Sequence, residues 1–132
     1  KALVTRYHLE NRVFFKGTTR NVAKVLVNGD IFVFPSAYEG FGLTMAEAMS
    51  MGVPAIGYKN CVAVNEIIHD GENGFLADDG IEPLAEKMRL LMEDSELRAR
   101  MGQAARRSMK QYSADKIWGA WEDLLHEVVR DV

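Results

Sequence analysis

Short apolar runs alternate with helical spacings along most of this chain. Arg12-Val13-Phe14-Phe15 is an apolar run between Asn11 and Gly17 and predicts a first strand. Thr18 or Thr19 is placed to cap a helix over Asn21 to Val27, which Gly29 ends. Asp30 to Phe34 predicts a second strand, almost wholly apolar, as in a strand covered on both faces. Leu43 to Met51 reads as a helix stopped by Gly52, and Val53 to Tyr58 as a third strand with Pro54 near its start. Ala63 to His69 is a helix ended by Gly71; Asn73-Gly74 is a turn and Phe75-Leu76-Ala77 a short last strand. From Ile81 the pattern is helical throughout, with Pro83 in a first turn, Asp94 or Ser95 capping a second helix and Ser113 a third that ends near Val129. Strand–helix alternation of this kind predicts an α/β fold with a parallel sheet, right-handed crossovers and flanking helices.

Composition narrows the picture only a little. The 132 residues suffice for one domain with a core, and 48% hydrophobic with 27% charged residues is ordinary for a globular chain. A net charge of −3 gives no reason to expect nucleic acid as a partner. The single cysteine, Cys61, cannot form an internal disulfide, which fits a reducing, cytoplasmic setting. No apolar run approaches the roughly 20 residues of a membrane span, and no basic-plus-apolar leader is seen. Lys1 to Leu9 reads as the second half of a helix already under way, so the chain is expected to be a piece of something longer.

The candidate chemistry sits after the second strand, in Tyr38-Glu39-Gly40-Phe41-Gly42-Leu43-Thr44-Met45-Ala46-Glu47-Ala48. A Gly-containing loop opening a helix directs free backbone N–H groups and the positive helix end at one point, which suits a phosphate. Glu39 and Glu47 flank that point, and carboxylates accept hydrogen bonds from sugar hydroxyls. Amides for phosphate and carboxylates for hydroxyls describe a site for a sugar nucleotide. The loop also follows a strand of an open parallel sheet, at the carboxyl end where ligands bind. A purely structural reading stands beside this one: Thr44 and Glu47 have the spacing of a capping box.

The stretch Phe34 to Met49, with its two glutamates separated by seven residues, resembles the retaining nucleotide-sugar glycosyltransferases of glycosyltransferase family four. Gly52-Val53-Pro54-Ala55-Ile56, Val64 to Ile68, Asp70 to Leu76, and the helices at Pro83-Leu84-Ala85 and Glu96-Leu97-Arg98 extend the resemblance over nearly the whole chain. It implies a Rossmann-like, partial C-terminal donor domain of the two-domain GT-B fold over residues 1–132, with C-terminal helices over about 81–130. It further implies that Glu39 binds donor-sugar hydroxyls, that amides around Gly40, Phe41, Gly42, Leu43 and Thr44 hold the sugar and diphosphate, and that Glu47 accepts from the ribose. The loop from Gly17 to Thr19 would lie against the base. The donor would be a UDP-, GDP- or ADP-activated hexose and the acceptor a glycan or lipid-linked molecule. No protein nucleophile, cofactor or metal is implied.

One departure matters. The resemblance implies an Arg and a Lys upstream that clamp the diphosphate, and nothing before Arg12 matches them. The N-terminal acceptor domain is expected to be missing too, so the chain alone should neither turn over nor bind donor tightly. Two central strands of the usual sheet would also be missing, leaving an exposed edge at the second strand. Direct pairing of the first and second strands, or a dimer through the open edge, is the expected response. The alternative reading is a non-catalytic sugar-nucleotide-binding or interaction module of the same fold; an isomerising relative is disfavoured by the acid–Gly–Phe–Gly spacing.

Other candidates are weaker. His8, His69 and His126 are scattered, and Asp78-Asp79 precedes a helix start, so no metal site is expected. Arg98, Arg100, Arg106, Arg107 and Lys110 form a basic stretch partly answered by Glu96, four residues before Arg100. A further expectation is peripheral contact of that face with anionic membrane, at the inner face of the membrane. Trp118 and Trp121 are expected to pack, on this core or on the absent domain.

Overall fold

The computed structural model describes residues 1–130. Three parallel strands, β1 (Phe32–Phe34), β2 (Ala55–Tyr58) and β3 (Gly74–Ala77), form a sheet in the order β1-β2-β3. Phe32 pairs with Ala55, and Ile56 with Phe75. The helices are α1 (Ala2–Arg6), α2 (Val22–Leu26), α3 (Leu43–Ser50), α4 (Val62–Ile67), α5 (Ile81–Glu93), α6 (Ser95–Ser108) and α7 (Ala114–Arg130). A 3-10 turn, Met109–Tyr112, joins the last two. The parallel α/β architecture expected from the alternation of runs is the one formed.

Pleating sends neighbouring strand residues to opposite faces. Ala55 joins Met45, Met49, Val64, Ile67 and Met109 on the side of α3, α4 and the 3-10 turn. Ile56 joins Phe75, Leu91 and Met101 on the side of α5 and α6. Both faces are therefore covered, which explains why Phe32 to Phe34 and Ala55 to Tyr58 carry so few polar residues. Asn73 is wholly buried and fully bonded: its Oδ1 accepts from the His69 N–H at 2.7 Å, and its Nδ2 donates to the Ile67 carbonyl at 3.1 Å and to Ser108 Oγ at 3.0 Å. It ties the loop entering β3 to the end of α6.

Several expectations are corrected. Arg12 to Phe15 forms no strand; the Arg12 and Val13 amides bond back to the Leu9 carbonyl, and Phe14 and Phe15 lie exposed. A strand needs a partner for its backbone, and no pairing with β1 supplies one. Asn21, not Thr18 or Thr19, caps α2: its side chain accepts from the Lys24 N–H at 3.0 Å, while Thr19 Oγ1 accepts from the Asn21 N–H. β2 begins at Ala55 rather than Val53. Of the two caps expected for α6, Asp94 is the one formed, accepting from the Leu97 N–H at 2.8 Å. Trp118 and Trp121 do not pack on this core; α7 buries no residue and touches the 3-10 turn.

Candidate functional site

β1 ends at Phe34, and the chain turns through Pro35 to Phe41 before α3 begins. Gly42 is the N-cap of α3, in the left-handed region at φ 76°. A Cβ there would also meet the Phe34 ring at 3.3 Å, so both conformation and contact call for glycine. The first bond of the helix runs from the Ala46 N–H to the Gly42 carbonyl, and no side chain caps the amino end. The amides of Leu43, Thr44 and Met45 therefore lack intrahelical partners at the positive end of the helix. An anion at that point would gain both their hydrogen bonds and the dipole.

This geometry removes the capping-box reading. Thr44 lies inside the helix, so Glu47 falls beyond the third helical position and neither residue acts as the cap. Glu47 is exposed on α3 and has no side-chain partner among the described residues. Glu39 is half-buried, and its Oε1 accepts the Ser36 hydroxyl at 2.6 Å, which orients the carboxylate before any ligand arrives. Ser36 escaped the sequence reading, although its place three residues before Glu39 in a turn was the available signal.

Phe41 has found a partner that no local pattern announces. Its ring meets Tyr112 of the 3-10 turn edge-on, centroids 5.2 Å apart. The two rings border a mainly apolar cavity of about 230 Å³, with Leu43, Glu47 and Met109 also in its wall. The cavity lies beside the helix mouth and includes Glu47, whereas Glu39 stays outside it. Its volume is below that of ordinary ligand pockets, about 300–1,000 Å³. Gly40, Leu43 and Thr44 are exposed at the mouth itself. Thr19 is exposed as well, and its hydrogen bond runs to Asn21 rather than to the Glu39–Glu47 loop.

At the carboxyl end of β2, Lys59 pairs with Asp78. The hydrogen bond to the Asp78 side chain, followed by its negative charge, raises the Lys59 ammonium above its usual 10.5. That cation is thus already engaged. Among the described residues no group of three or more His, Cys, Asp or Glu is placed to hold a metal. Nor is any helix long and apolar enough to cross a membrane.

A two-sided parallel sheet with a glycine-opened helix at the carboxyl end of a strand defines a Rossmann-like α/β domain, as in GT-B proteins. Residues 1–108 match the glycosyl transferases group 1 family, and the chain belongs to it. The match begins at Lys1, so the front of the chain is family sequence too. N-acetyl-alpha-D-glucosaminyl L-malate synthase of Bacillus anthracis is 37% identical over 131 residues, covering 98% of this chain and 34% of the relative. Poly(ribitol-phosphate) alpha-N-acetylglucosaminyltransferase of Staphylococcus aureus is 33% identical, covering 90% of this chain and 24% of the relative. Among solved structures, S. aureus TarM in complex with UDP superposes with a TM-score of 0.85 at 32% identity, covering 93% of this chain and 25% of that one. Anabaena HepE in complex with UDP and glucose gives 0.86 at 28% identity, covering 96% and 35%. The chain thus spans roughly a quarter to a third of the length of these relatives.

Proposed function

We propose that this chain is the later part of the donor-binding domain of a retaining hexosyltransferase of family four. The observation that carries the reading is the uncapped amino end of α3, opened by Gly42 and flanked by Glu39 and Glu47. The amides of Leu43 and Thr44 would hold the donor diphosphate, and they would do most when negative charge builds up on the departing nucleotide. Glu39, held by Ser36, would accept from hydroxyls of the transferred sugar; Glu47 would accept from the ribose. Gly40 and Phe41 shape the loop over the sugar, and the segment around Thr19 would lie against the base. The donor acts as substrate, with no cofactor.

The relatives' names support the finer points. Several carry alpha-linked N-acetylglucosaminyl, glucosyl or N-acetylgalactosaminyl products. Alpha products are the outcome of retention when the donor is itself alpha-linked. TarM and HepE are described with UDP, which favours a UDP-sugar among the three donor classes. A buried, unpaired Cys61 agrees with work in the reducing cytoplasm.

Helix-end amides neutralise a diphosphate only in part, so the chain alone binds donor weakly and does not turn over. Micromolar affinity for a UDP-sugar by calorimetry of these 132 residues would overturn that statement. The decisive experiment is a transfer assay on the full-length protein with Glu39→Gln and Glu47→Gln. Each should lower kcat/KM about a hundredfold, near 2.7 kcal/mol, without loss of folding. Unchanged kcat/KM in both variants would remove the site.

A further inference from the structure

A second site lies apart from the donor loop. The loop that enters β3 at its amino end, the close of α6 and the start of α7 border an open surface groove of about 500 Å³, lined by His69, Glu72, Arg107, Lys110, Gln111 and Lys116. The donor loop, by contrast, leaves β1 at its carboxyl end. Arg107, Lys110 and Lys116 are exposed and form no ion pair among the described residues, whereas Lys59, Arg89 and Arg98 each have an acidic partner. Glu72 is the carboxylate in the lining, and it faces the His69 ring at 4.0 Å. What marks the groove is that three cations line it beside a single carboxylate, in a chain whose net charge is −3.

The floor of the groove is rigid. Ser108 Oγ donates to the Ala105 carbonyl at 2.8 Å and accepts from Asn73, which is itself wholly buried. Arg107 at the end of α6 and Lys110 in the 3-10 turn therefore project from a fixed base, while Lys116 approaches from α7. We infer that this groove binds a phosphoryl group. A planar guanidinium can grip two oxygens of one phosphate, two ammonium groups can add point charges, and the Gln111 amide can donate a further bond. A lone carboxylate would use only part of that set. Lys110, Gln111 and Lys116 lie beyond the residues matched to the family, so three of the four side chains assigned to the phosphoryl group come from outside it.

Two sources present the same chemistry: a soluble phosphate ester, or the headgroup of an anionic lipid. Inorganic phosphate, titrated into the 15N-labelled chain, is the first probe. The amides of Gly71 to Asn73, Ser108 to Gln111 and Lys116 should move together with one dissociation constant. Combining Arg107→Gln, Lys110→Gln and Lys116→Gln should weaken that constant at least about tenfold, and each single change should weaken it partly. Lys24→Gln, an exposed cation on α2, should leave it unchanged. Raising the ionic strength should weaken it in the wild type and matter little in the triple variant.

Cosedimentation with vesicles of phosphatidylcholine, with and without phosphatidylglycerol, separates the sources. Binding that requires phosphatidylglycerol and is lost in the triple variant assigns a lipid headgroup. Phosphate shifts without vesicle binding assign a soluble ester. The inference is overturned if phosphate moves none of these amides, or if the triple variant binds phosphate and vesicles as the wild type does. Neither result depends on donor binding at α3.

Discussion

Gly42 decides where α3 begins, and with it which amides stay free. Replacing it by alanine forces φ 76° on a residue with a Cβ, against the Phe34 ring. Gly42→Ala should cost about 1–2 kcal/mol in chemical denaturation. It should cost more in donor binding than in stability, because the free amides shift with the helix start. The two glutamates were singled out by the Gly-containing loop between them together with the family resemblance; the structure leaves Glu47 exposed and Glu39 half-buried. The capping box was misleading because a cap preference is weak and local. The actual start is set by the left-handed glycine and its contact with a residue of β1. Asn73 gives a second test at this scale. Asn73→Ala strips partners from the His69 N–H, the Ile67 carbonyl and Ser108, and should destabilise the fold by about 2–3 kcal/mol.

Among elements, strands that the helices cover were readable, and the strand without a neighbour was not. Phe32–Phe34 and Ala55–Tyr58 pair because a partner strand satisfies each backbone; Arg12–Phe15 has the same apolar pattern and no such partner. Pattern reports what a segment would bury, not whether something is there to bury it. The basic stretch divides for a related reason. Arg98 belongs to the packing of α6, donating to the Leu91 carbonyl at 2.6 Å and lying 3.7 Å from Asp30, while the expected Glu96–Arg100 pair does not close. Contacts far apart in sequence were likewise invisible: nothing near Phe41 points to Tyr112. Tyr112→Ala should cost about 1 kcal/mol of stability and speed amide exchange from Gly40 to Thr44, whereas Tyr112→Phe should change neither. The close approach of α6 to the turn after α3 is similar. A Cβ on Gly102 would collide with the Gly52 carbonyl, so Gly102→Ala should cost about 2 kcal/mol or more in a denaturant melt.

At the scale of the whole molecule, the fold class was readable because two-sided burial leaves a strong apolar signal. What surrounds the fold was harder to see. Among the described residues β1 has no neighbour on its outer side, as expected from the resemblance, but the anticipated rescue by Arg12–Phe15 does not occur. Phe14 and Phe15, 66% and 61% exposed, and the apolar side of α7 together form surface that a stable monomer rarely leaves bare. Trp118 and Trp121 are 68% and 53% exposed, so their fluorescence should be readily quenched by acrylamide and little changed by unfolding. A blue-shifted, protected emission would mean that α7 has found a seat.

The seventeen residues of α7 contribute no buried side chain, and a helix draws most of its stability from packing an apolar face, which α7 lacks here. Its hydrogen bonds should therefore open and close on their own schedule, with deuterium entering α7 long before it reaches β2. Ending the chain at Ser113 should leave the melting temperature almost where it was.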